Sequence, residues 1–212
     1  MARRVGVLLL ALCAATACSP QRPDVAASRT VAPSPSPTTS APPATRTPLQ
    51  SCVQLAASVP ETLRHRVESE PKYSDGSESS ARLCTLHAAP DSRSRRFAVI
   101  TVKRFYPDPY QGEPRGDRLR EEAEDFITDG CGGSGEVTGE RYQPTGFAWA
   151  TACHTRFSNG DITVIAVVER DTVITVRLSA TLRSGAPDEQ FVRQSRDHAL
   201  AVATGLRTAV TN

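Results

Sequence analysis

Apolar positions along this chain change period several times, and each change marks an element. From Arg95 to Tyr106, "RRFAVITVKRFY" alternates: Phe97, Val99 and Thr101 fall on one side, Ala98, Ile100 and Val102 on the other. Period two predicts a β-strand, and apolar residues on both sides predict burial of both faces. "ARLCTLHA" before it reads as a shorter strand. "GFAWATACHTRF", "ITVIAVVER" and "TVITVRLSATL" predict three more, joined at Asn159-Gly160 and at a tight Arg170-Asp171 corner. Asn-Gly is a strong hairpin signal because both residues accept positive φ.

Helical spacing brackets and interrupts the strands. "SCVQLAASVPETLRHRV" places Val53, Leu55, Ala56, Val59, Leu63 and Val67 at near-helical intervals, with Pro60 dividing the run. "RGDRLREEAEDFITDG" sets Leu119, Ala123, Phe126 and Ile127 on one stripe, with Asp117 as the front cap and Gly130 as the rear cap. "PDEQFVRQSRDHALAVATGLRTAV" closes the chain as a long helix with Pro187 in its first turn. The order is helix, two strands, helix, three strands, helix. Hairpin-linked strands without β-α-β alternation predict an α+β fold, an antiparallel sheet of about five strands flanked by helices.

The first fifty residues follow neither period. Arg3 and Arg4 precede the apolar run "VGVLLLALCAATA", which is too short to span a hydrocarbon core of about 30 Å and reads as an export signal over residues 1–17. Small residues lead into Cys18, whereas bulky Leu12 precedes Cys13. "ATAC" therefore resembles the lipobox of bacterial lipoproteins, whose cysteine is lipidated and becomes residue one. Ala15 stands where that motif usually has Leu, and "Ala15-Thr16-Ala17" also suits the ordinary signal peptidase, which would cut the same bond. Lipidation at Cys18 is the expectation, because a cysteine is otherwise an odd residue to leave just after the cut. Residues 19–50 hold eight prolines, five serines and five threonines, a composition that cannot bury enough apolar surface to offset its ordering entropy. The expected layout is a signal at 1–17, a lipidated and disordered stalk at 18–50, and a single domain at 51–212.

Charge and cysteine content narrow the picture. The chain has 25 basic and 23 acidic residues, but five arginines and only one aspartate precede residue 51, so the domain is slightly acidic. "SRSRR" at 92–96 is its one basic cluster, without the interleaved aromatics of a nucleic-acid surface. Four cysteines remain in the domain: Cys52, Cys84, Cys131 and Cys153. An even number in an exported domain predicts two disulfides, and the wide spacing disfavours a zinc site. Sequence allows three connectivities. The element order favours Cys52 with Cys84 and Cys131 with Cys153, since Cys131 follows a helix that returns to the strand bearing Cys153.

The lipobox, the stalk, Cys52 opening the first helix, Cys84 in an early strand and the alanine-rich closing helix together resemble small actinobacterial lipoproteins of unknown function. Those proteins carry a PsbP/Mog1-like α/β sandwich. The resemblance implies that architecture for residues 51–212 and transfers no catalytic residue.

Candidate chemistry is sparse. "DGCGGSGE" at 129–136 lacks the Gly-Lys-Ser/Thr of a phosphate loop, and Glu136 stands where a nucleophile elbow needs glycine. His65, His87, His154 and His198 never sit at H-x-x-x-H spacing, so neither a metal nor a cofactor is expected. Asp197-His198 with a distant serine lacks a nucleophile motif. The proline-stiffened loop "RFYPDPYQGEPRGD" at 104–117, with Tyr106 and Tyr110, is the expected contact surface. The expected role is a non-enzymatic binding or accessory module on the outer face of the cell membrane. Its partners would be the membrane through the anchor and an envelope protein, glycan or lipid, with no nucleic acid. The alternative is an envelope hydrolase with an unrecognised site.

Overall fold

Strict alternation makes Ser94–Phe105 the longest strand, here β3, and the sheet is built outward from it. The computed structural model describes residues 48–69, 76, 78–107, 116–131 and 139–212. The signal, Cys13, Cys18, Tyr110, the glycine loop 132–136 and all but the last three residues of the stalk lie outside these. β3 pairs with β2 (Ser79–His87) and with β7 (Thr172–Leu182), both antiparallel. β7 pairs with β6 (Gly160–Glu169), β6 with β5 (Trp149–Arg156), and β5 with β4 (Glu140–Tyr142). With β1 (Arg66–Ser69) beside β2, the order is β1-β2-β3-β7-β6-β5-β4. The fold is α+β, with seven antiparallel strands and three α-helices among the described residues.

The two additional strands are the short outer ones. The stretch expected to continue as a helix to Val67 instead forms α1 (Cys52–Ala56), a 3-10 turn (Glu61–Leu63) and then β1. Pro60 cannot donate a helical hydrogen bond, and Arg66–Ser69 finds backbone partners on β2. β4 has three residues and no apolar alternation, so only its pairing with β5 defines it. The corners fall where expected: the Phe157 N–H donates to the Gly160 carbonyl at 2.7 Å, though neither Asn159 nor Gly160 takes a positive φ, and Arg170 takes φ 53° between β6 and β7.

Helices occupy both faces. α1 and α3 (Glu189–Thr211) cover one, burying Leu55, Val59, Val202 and Leu206 against Ile100, Val102, Ile165, Ile174 and Val176. Gly205 lets α3 lie against the α1 turn, where a Cβ would collide with the Ser58 carbonyl. The cap of α3 is Asp188, whose side chain accepts from the Phe191 N–H at 2.7 Å, so Pro187 lies before the cap rather than inside the first turn. α2 (Gly116–Cys131) lies on the opposite face, packing Leu119, Ala123 and Ile127 on Val164, Ala166, Val168 and Val173. Asp117 sits inside its first turn rather than capping it, and Gly130 is helical, pressed close to Val164.

One disulfide fastens each helical layer. Cys52 joins Cys84 with Cα atoms 5.7 Å apart, and Cys131 joins Cys153 at 6.2 Å. The first ties α1 to β2, and the second ties the end of α2 to β5. In the chain-entropy view, loops of this size stabilise by roughly 3–4 kcal/mol each. The double variant Cys131→Ser/Cys153→Ser is expected to lose about that much stability, read as a lower urea midpoint. An unchanged midpoint would mean that α2 is held by packing alone.

Candidate functional site

The alternation of β3 predicts burial on both faces, and the structure buries only one. Ala98, Ile100 and Val102 are sealed beneath α1 and α3. On the other face Phe97 is 39% exposed, and Val99 and Thr101 are half-buried. The reason is coverage: α2 packs over β5, β6 and β7 and leaves the outward side of β1, β2 and β3 without a helix. Next to α2 this open half-face forms a groove of about 530 Å³, floored by Leu83, Val99, Thr101 and Ser179, walled by Phe126 and Gly130, and carrying the charged side chains of Asp129 and Arg177 on its lining. That volume falls within the range of small-molecule sites.

Sheet register lays the open face out in rows. Arg66, His87, Phe97 and Ser179 are neighbours in one row, and Glu68, Thr85, Val99 and Arg177 in the next. Past Phe97 the face enters a second depression of about 600 Å³, lined by Arg66, His87, Arg95, Thr181 and Arg183. Phe97 borders both hollows, and its ring centroid lies 6.3 Å from that of His87. Arg66 is paired with Glu68 at 3.0 Å, and Arg96 with Asp91 at 3.8 Å. Hydrogen bonds from Ser94 and the Arg93 N–H hold Asp91 below the usual carboxylate range. Arg95, Arg177 and Arg183 are exposed and have no carboxylate partner among the described residues. At the other end, Lys103 closes the groove through an ion pair with Glu122 at 2.7 Å and lies 4.7 Å over the Phe105 ring.

The expected contact loop begins at that closed end. Tyr106 is half-buried rather than exposed, and its backbone N–H donates to the Glu78 carbonyl at 2.8 Å. Tyr110 lies outside the described residues. Of the basic cluster "SRSRR", Arg95 and Arg96 lie inside β3, and Arg183, just past the end of β7, stands beside them. Nothing local in the sequence signals that meeting.

The histidines disperse, as their spacing suggests. His65 is exposed, and His198 is half-buried with its pKa lowered, chiefly by burial. His154 sits beneath α3 with Asp161 and Ser195, a set with the composition of a serine-hydrolase triad. The arrangement is different. Ser195 donates to the Phe191 carbonyl at 3.2 Å, His154 Nδ1 meets the Thr163 hydroxyl at 3.0 Å, and Nε2 lies 4.0 Å from the Asp161 carboxylate. All three side chains are sealed from solvent, so no substrate reaches the hydroxyl. Among the described residues no group of three His, Cys, Asp or Glu side chains could hold a metal, and no helix is long and apolar enough to cross a membrane.

No family model matches the chain, and no curated protein matches it. An uncharacterised protein from Mycobacterium smegmatis is similar in structure at a TM-score of 0.34 and 10% identity, over 72% of this chain and 82% of that one. A similarity that distant carries neither fold nor function across.

The buried pair makes a pH prediction. Burial pushes Asp161 up to about 6, against smaller lowering by the Ser195 hydroxyl and by Arg96, Arg156 and Arg196. Burial, then Arg196 and Arg156, pushes His154 down to about 4. Asp161 binds its proton more tightly when folded, so its contribution is complete below 3.8 and is lost as pH rises through about 6. His154 binds its proton less tightly when folded, so its contribution is complete above 6.5 and is lost as pH falls through about 4. The two are of opposite sign and each on the order of 3 kcal/mol, so they offset in the intact protein. Relative to the parent chain, Asp161→Asn is expected to lose stability on acidification across this window. His154→Gln is expected to gain. Denaturation curves parallel to the parent at every pH would refute the assignment.

Proposed function

We propose that the chain is a non-enzymatic binding module of the cell envelope, anchored to the outer face of the membrane by a lipid on Cys18. Its contact surface is the open half of the sheet, centred on Phe97. The observation that carries this reading is the exposed aromatic on a central strand, between two hollows and flanked by Arg95, Arg177 and Arg183, which have no carboxylate partner among the described residues. A large apolar side chain exposed in a concave, partly polar setting is a feature of recognition surfaces. The sealed state of Ser195, His154 and Asp161 weighs against the hydrolase alternative. Helices on both faces of an antiparallel sheet support placing the domain with the PsbP/Mog1-like sandwiches. The lipid would come from the lipobox-like "ATAC", and two acyl chains give stable retention where one does not.

Two measurements test the proposal. Intact mass of the cell-derived protein is expected to show residues 18–212 carrying a diacylglyceryl group, and an unmodified mass would refute the anchor. A photo-crosslinking amino acid at position 97 is expected to give a discrete adduct in cells. The same probe at Val53, 69% exposed on α1, is expected to give none. Equal labelling at both positions, or none at 97, would refute the contact surface.

A further inference from the structure

We propose that the open face binds a single amphiphile with an anionic head, its tail lying in the groove beside α2 and its phosphate or carboxylate on Arg95 and Arg183. This inference rests on the binding role assigned above and names the class of ligand. The two hollows are consecutive along one strand. β3 contributes Thr101, Val99 and Phe97 to the first, and Phe97 and Arg95 to the second. β7 repeats the progression with Arg177 and Ser179, then Thr181, and Arg183 follows just past its end. Leu83, Val99, Phe97 and Phe126 give the groove most of its surface, with Asp129 and Arg177 also on its lining, and the second hollow gathers Arg66, Arg95 and Arg183, with Phe97 between the two.

Length and charge suit this occupant. From Thr101 to Arg95 the strand rises about 20 Å. One leaflet of a bilayer core is about 15 Å deep, so an extended acyl chain fits the groove and leaves room for its head. Lys103 at the far end is engaged with Glu122, so the charges a tail would pass are those of Asp129 and Arg177 on the groove's lining, and the Asp129 carboxylate disfavours placing an anionic head there. Arg95 and Arg183, with no carboxylate of their own among the described residues, stand at the open end where a head would emerge. Guanidinium groups donate several hydrogen bonds in a fork that matches phosphate and carboxylate oxygens. The domain as a whole is slightly acidic, so this cationic end is a local feature and not the average of the surface. A neutral sugar head would leave the arginines unused, and a second apolar chain would have no second groove on the described face.

The test uses the whole chain with Cys18→Ser, which needs no detergent, at neutral pH and with amphiphiles below their micelle concentrations. In titration calorimetry, dodecyl phosphate is expected to bind one to one, about tenfold or more tighter than dodecyl maltoside or inorganic phosphate. Arg95→Gln with Arg183→Gln is expected to erase the preference for phosphate over maltoside. Phe97→Ser is expected to weaken both amphiphiles, and Arg193→Gln, on α3, neither. Melting temperatures of the variants identify any that fail to fold, and these exposed positions are expected to leave them unchanged. Equal binding of the two amphiphiles would overturn the anionic head. A folded chain that binds no dodecyl phosphate would overturn the ligand class, as would one that binds only vesicles containing phosphatidylglycerol. In either case the adduct at position 97 would stand or fall on its own.

Discussion

Among the described residues, one face of the seven-stranded sheet carries a single helix, α2, and its placement sets the terms for everything around it. Adjacent strands are about 4.8 Å apart, so the outermost strands lie roughly 29 Å from each other, while a helix with its side chains is about 10 Å wide. α2 therefore covers two or three strands. Its disulfide from Cys131 to Cys153 fixes which ones, by tying its end to β5 near one edge. Gly130 lets that last turn sit close to Val164 on β6. Among the described residues no helix covers the outward faces of β1 and β2 or the Phe97 end of β3, and the groove, the exposed Phe97 and the arginine end all follow from that geometry.

The other face shows what full coverage costs. α3 lies over β6 and β7, and its first half seals Asp161, His154 and Thr163 from water. The positive charges of Arg96, Arg156 and Arg196, from β3, β5 and α3, offset part of the cost of burying the Asp161 carboxylate. Pairs at the rim secure the same end of the helix, with Arg156 on Glu189 at 2.7 Å and Arg196 on Glu140. Arg196 also lies over the ring of Tyr142, whose hydroxyl burial pushes up to about 12. These contacts tie the short strand β4 to α3 and give it a reason to exist that its own three residues do not supply.

Much of this was written locally in the chain. The period-two runs of β2, β3, β5, β6 and β7, the stripes of α2 and α3, and the Asn159-Gly160 corner depend on residues a few positions apart, so their signals survive without knowledge of the fold. Both disulfide pairings followed from that element order. The short outer strands were illegible for the same reason. Arg66–Ser69 and Glu140–Tyr142 have no alternation of their own and become strands only because β2 and β5 offer them a free edge. Sequence likewise assigned apolar residues to both sides of β3 but held no record of what would lie over each. Burial of a strand face is decided by elements distant in the chain, here a helix beginning eleven residues after β3 ends and stapled to β5. The amino-acid sequence thus determined the long helices and strands and which cysteines could meet. Tertiary structure alone decided that Phe97 faces outward beside Arg95 and Arg183, because one helix cannot cover the width of seven strands.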